Sequence, residues 1–508
     1  MLEERKTLND KQPDLDLAST GIPGLDLILV GGLLREHIYL VEGTPGSGKT
    51  TLALQFLLEG VRSGERCLYV TLSETERELR ATAVSHGWSL DGVTILEVTP
   101  LEADPDRQQG IIHPSEVELD QTVAFILQKI EDLNPDRLVI DALTEIRLLA
   151  QDPLSYRRQV LMLKSFFARS HTTVVALDDL TDMAHGLQLH SVVHGVLSLE
   201  QRRMEYGVVR RRLSVLKLRG VNYRSGYHDY VIHTGGIAVY PSLVAAEYHV
   251  GFPFASVSSR IESLDDLLGG GLHRGTSSLL IGPSGVGKSS LAIQYAVAAA
   301  AQDTKPAIFA FDESYRTALE RSRGLGLDVE GVRASGALSW QKVSPTALSP
   351  GEFVDMVKQE VDAGSRFVVI DSLNSYMASM PEEQALLLHI HELLTYLGNQ
   401  GVVTILIIAQ HGLFGDVQAP VDLSFLADSI VLLRYFEAEG EVRKAISVLK
   451  SRGGAHETAI REYRLVTKQG VNVGQPIRAF HGVLTGVPTF IGQASIFAQN
   501  SDRNGDKH

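Results

Sequence analysis

Two short segments of this chain carry the residue types that hold a triphosphate. Gly43-Thr44-Pro45-Gly46-Ser47-Gly48-Lys49-Thr50, followed by Thr51, fits G-x-x-x-x-G-K-[ST]. So does Gly282-Pro283-Ser284-Gly285-Val286-Gly287-Lys288-Ser289, followed by Ser290. Glycines let successive backbone N–H groups converge on phosphate oxygens, and a helix starting at the lysine adds a favourable dipole. Lys49 and Lys288 are placed to reach the β and γ phosphates, and the hydroxyls of Thr50 and Ser289 to hold Mg²⁺. A Gly-rich turn before an ordinary helix is the plainer reading of one such match. Two in one chain, each after an apolar strand pattern and before a helical one, point to two MgATP sites.

Further acids complete each constellation. Asp141 and Asp371 end the apolar runs 137–141 and 367–371, where a carboxylate can take a water of the Mg²⁺ shell. Hydrolysis also needs a base that polarises the attacking water. The candidates stand just past the second strand of each copy: Glu74, after Ser73, and the pair Asp312 and Glu313. Ser-Glu-Thr and Asp-Glu-Ser are also good helix starts, so capping is the competing role and is compatible with the first.

The elements that must position these residues are written twice. Asp26, Leu33, Arg35 and Lys49 recur as Asp265, Leu272, Arg274 and Lys288 at a constant offset of 239. Asp141 answers to Asp371 at 230, so the first copy carries extra residues, placed here in the polar stretch 102–110; Lys217 and Arg219 answer to Lys450 and Arg452 at 233. The first copy reads as strands at 38–42, 67–71, 137–140 and 173–177 with a helix at 51–61. The second reads as strands at 278–281, 307–311, 367–370 and 402–409. Continuous β-rich apolar runs between helices predict a mostly parallel sheet covered on both faces.

Bulk properties narrow the function classes. The chain has 508 residues, 44% hydrophobic and 21% charged, an ordinary globular mixture. Its formal net charge of −14 and lack of a long Lys/Arg run oppose a broad grip on nucleic acid. Cys67 is the only cysteine, which excludes an intrachain disulfide or a cysteine zinc site. The polar N-terminus has no signal-peptide core, and apolar stretches such as 402–409 fall short of the ~20 residues of a membrane helix. A cytoplasmic protein is expected.

The doubled RecA-like pattern, the acids after the second strand and the Lys-x-Arg near the end of each copy together resemble the KaiC family of circadian-clock ATPases. The resemblance spans about residues 17–470 and is strongest over 427–437, 443–453 and 460–462. It implies two tandem RecA-like P-loop domains of α/β class: 17–245 and 246–480, between a flexible segment 1–16 and a tail 481–508. It further implies a homohexamer of two stacked rings with ATP between neighbouring subunits. Lys217 and Arg219, or Lys450 and Arg452, would then reach the neighbour's γ-phosphate. KaiB-like or other signalling proteins are the partners it suggests. Two departures matter. The family places Glu-Glu after the second strand, where this chain has Ser73-Glu74 and Asp312-Glu313. The family's adjacent Ser-Thr phosphoacceptors match Ser424 and Phe425, leaving Ser424 as one candidate for serine autokinase chemistry. The competing classes are a RecA-like DNA-dependent ATPase, an ABC-type ATPase, whose Leu-Ser-Gly-Gly-Gln signature is missing, and a nucleotide sensor with little hydrolysis.

Overall fold

The computed structural model describes residues 15–98, 114–150, 152–180, 189–203, 207–378, 383–410, 426–483 and 489–490. The chain divides between Ser242 and Leu243 into two compact units, each built on a nine-stranded sheet. In the first unit the strands lie in the order Gly236–Tyr240, Tyr227–His233, Arg210–Leu218, Gly195–Arg202, Ile38–Gly43, Thr173–Asp179, Arg137–Asp141, Cys67–Thr71 and Val93–Glu97. The six from Gly195–Arg202 to Val93–Glu97 are parallel, and the three beyond are antiparallel. The second unit repeats this plan. Ser339–Lys342, Ala307–Ala310, Phe367–Asp371, Val403–Ala409, Ser277–Gly282 and Ser429–Ala438 run parallel; Glu441–Ser451, Arg461–Val466 and Gly470–Pro476 follow antiparallel.

The inner parallel strands are largely apolar because helices cover both of their faces. All five residues of Cys67–Thr71 are buried. On one face of the first sheet the helix Lys49–Arg62 packs Leu52, Phe56 and Leu57 against Tyr39, Val139 and Val175. On the other face Leu119, Val123, Ile126 and Ile130 form the buried stripe of helix Pro114–Leu133, at helical spacing. The second unit is layered alike, with helix Lys288–Ala300 on one face and helix Glu383–Asn399 on the other. The expected strands are present with small shifts at their ends, and the sequence reading did not resolve the antiparallel strands of either unit. Among the described residues no helix is long and apolar enough to cross a membrane. The stretch 102–110 lies outside the described residues.

Candidate functional site

Both phosphate loops follow the central strand of their sheet and lead directly into a helix. Gly48 (φ 98°) and Gly287 (φ 115°) precede those helices in the left-handed conformation that a Cβ would penalise. Neither helix start has a side-chain cap, so no side chain competes there for the first N–H groups, the arrangement that suits an anion. The Ser47 hydroxyl in the first loop is buried without a hydrogen-bond partner among the described residues.

Lys49 Nζ donates to the Gly43 and Thr44 carbonyls (2.8 and 3.3 Å) and pairs with Asp179 at 2.7 Å. Lys288 Nζ donates to the Gly282 and Pro283 carbonyls, both at 2.8 Å. Burial lowers the Lys288 pKa to about 8, partly opposed by Asp371. Asp141 accepts from Tyr69 (2.5 Å) and Thr50 (3.4 Å). Burial raises the pKa of Asp141 above the usual carboxylate range, although those two bonds and Lys49 oppose it. Asp371 is raised by burial too, against a hydrogen bond from Ser289. The structure thus brings Thr50 to Asp141 and Ser289 to Asp371. One hydroxyl and one acid per site suit an ion that takes its remaining ligands from phosphate and water. No group of three or more His, Cys, Asp or Glu among the described residues forms a metal cage.

The two units treat their remaining acids differently. Glu74 is half-buried; burial first, then Asp141 and Glu78, raise its pKa, and its Oε2 has no hydrogen-bond partner among the described residues. Asp312 instead accepts from Ser372 (2.7 Å) and from Ser375, while Glu313 pairs with Arg321 at 2.5 Å. The Lys-x-Arg pairs lie at strand ends. Lys217 donates to the His190 and Val193 carbonyls and Arg219 to Ser191. Lys450 donates to Ala427 at 2.7 Å, and Arg452 stands 3.8 Å from Asp428. Ser424 lies outside the described residues.

Sequence reasoning missed several residues at these loops. Tyr230 and Tyr463, on the antiparallel strands, donate to the carbonyls of Ser47 (2.6 Å) and Gly287 (3.1 Å) and brace the two loops. Their common offset of 233, shared with the Lys-x-Arg pairs, was the available signal. Tyr69 and Asp179 carried none, because only strand packing places them at the loop.

Comparison with known proteins agrees with this geometry. The family model described as "ATPase: KaiC" matches twice, over residues 18–244 and 257–477. The circadian clock protein KaiC3 of Synechocystis is 27% identical over 506 residues, covering 96% of this chain and 97% of the relative. The circadian clock oscillator protein KaiC of Parathermosynechococcus lividus is 29% identical over 482 residues, covering 93% and 88%. That of Synechococcus elongatus is 28% identical over 492 residues, covering 93% and 92%. With both P-loop units matched, this chain belongs to the KaiC ATPase family.

Proposed function

We propose that each chain binds two MgATP and hydrolyses ATP at the subunit interfaces of a homohexamer, acting as a signalling or timing switch through partner proteins. One observation carries the shared site. Lys217 pairs across the sheet with Val196, which stands beside Leu40. The first phosphate loop begins three residues further along, about 10 Å at a strand's rise. Lys217 and Arg219 direct their cations at carbonyls that precede strand Gly195–Arg202, away from their own loop. Lys450 sits in the same way, opposite Ile430 and level with Leu279. This placement, back from the pair's own phosphate loop, supports a neighbour's γ-phosphate as the target of each pair.

Within each site the loop N–H groups and Lys49 or Lys288 would hold the phosphates. Thr50 with Asp141, and Ser289 with Asp371, would hold Mg²⁺, which would supply charge neutralisation for the phosphates. Glu74 is the base assigned to the first site, Asp312 or Glu313 to the second. A second reading for the second unit, a nucleotide sensor with little hydrolysis, is favoured by the engagement of both its acids with Ser372, Ser375 and Arg321.

The test is sedimentation with nucleotide counting. MgATP should promote a hexamer with up to twelve nucleotides, and Lys49→Ala or Lys288→Ala should each remove half of them. A fully active monomer would refute the shared site. Tight, salt-sensitive DNA binding would favour the DNA-dependent class instead.

A further inference from the structure

We propose that Asp179 is an internal counter-ion of the first phosphate loop that ATP must displace on binding, and that the second loop has no such counter-ion among the described residues. This rests on the reading that both loops bind MgATP.

The three N–H donors of Lys49 are all committed: to Gly43, to Thr44 and to the Asp179 carboxylate. Lys288 makes the same two carbonyl bonds, but no carboxylate among the described residues pairs with it. The register explains the difference. Asp179 lies beside Gly43 on the neighbouring parallel strand, and the position beside Gly282 is Ala409, whose methyl cannot reach the lysine.

The backbone under the two positions is held alike. The Asp179 N–H donates to Thr144 Oγ1 at 3.0 Å, and the Ala409 N–H to Asn374 Oδ1 at 2.7 Å. Only the side chain has changed. In the first unit a polar network runs under the loop: Asp178 accepts from Thr144 (2.7 Å) and Arg147 (3.4 Å), and His190 meets Glu42 at 2.7 Å. The second unit has Ile408 and Ile281 where the first has Asp178 and Glu42. The carboxylate at Asp179 is therefore delivered by a supported strand end.

An entering triphosphate meets Asp179 in two ways. Its oxygens compete for the same ammonium, and its charge is repelled by a carboxylate alongside. A loop whose lysine is held in the ion pair nine times in ten would show an apparent Kd raised about tenfold.

The full chain tests this with a fluorescent, non-hydrolysable ATP analogue and Mg²⁺. In a Lys288→Ala background only the first loop binds, and Asp179→Asn, nearly isosteric, should tighten that binding about tenfold. Reciprocally, Ala409→Asp in a Lys49→Ala background should weaken the second loop by a similar factor. Unchanged or weaker analogue binding in Asp179→Asn would overturn the proposal, the weaker case making Asp179 a positioning residue for the ligand. Unchanged second-loop binding in Ala409→Asp would overturn it independently. If the Lys288→Ala parent bound no analogue at all, the nucleotide-site reading itself would fall.

Discussion

Replacing Glu74 by Gln separates chemistry from binding at the first site. The carboxylate stands beside Asp141 with a buried Oε2 that no described group satisfies, and burial raises its pKa, which strengthens it as a base. Its backbone is fixed by Thr71, which accepts from the Glu74 N–H (3.0 Å) and donates to its carbonyl (2.7 Å). Glutamine keeps that frame and the side-chain shape while losing the ability to take a proton. A positioned base contributes roughly 10²–10⁴ in rate. Because the amide still orients water, the lower end applies: about 100-fold, or ~2.7 kcal/mol of barrier. In a Lys288→Ala background the first-site turnover should drop by that factor while ATP affinity stays within about twofold, since Glu74 makes no bond to Lys49 or Thr50. The sign of the pH effect follows from the raised pKa: the base works deprotonated, so turnover falls with acidification at a pH above that of an ordinary Glu, and this limb should vanish in the variant. Steady-state phosphate release with a parallel binding titration reads both quantities. Turnover unchanged by the substitution would refute the assignment.

Other outcomes follow from particular contacts. Mixing Lys49→Ala subunits with Arg219→Ala subunits should restore part of the first-site turnover that each lacks alone, as should Lys288→Ala with Arg452→Ala at the second; no recovery would argue that each chain supplies its whole site. Arg137 is 1% exposed, bonded to Glu65 and to the Ser19 and Phe56 carbonyls (2.6 and 2.8 Å), so Arg137→Met should cost the first unit about 3 kcal/mol in urea unfolding. Burial alone would raise the Glu65 pKa, but hydrogen bonds from Arg137 and Arg35 bring it below the usual value. Stability from this pair is therefore present at neutral pH and lost only as pH falls through that lowered pKa. Incubation with γ-labelled ATP should leave Ser424 unlabelled or label it slowly in a manner abolished by Lys288→Ala; label that survives Lys288→Ala would contradict second-site chemistry.

Much of this protein could be read without a fold. The phosphate loops are local structures, so Gly48, Lys49 and Thr50 specify their geometry within one turn of chain. Parallel strands buried on both faces appear as unbroken apolar runs, and Cys67–Thr71 falls where its composition puts it. Asp141 and Asp371 were legible as acids closing such runs. Helical spacing after the first loop predicts a helix over 51–61; it spans Lys49–Arg62, because left-handed Gly48 starts it at the lysine itself.

Tertiary structure decided what stands against the loops. The antiparallel strands alternate in burial and break the apolar-run signal: Tyr227–His233 buries His228 and Tyr230 between exposed or half-exposed neighbours. Their pairing places Tyr230 under Ser47, 183 positions away in sequence. Asp179 by sequence is one acid after an apolar run; parallel pairing sets it beside Gly43 and hence against Lys49. Sequence determines the phosphate-loop geometry through short-range backbone conformation. Strand register, a consequence of long-range packing, decides which acid or tyrosine stands against that loop.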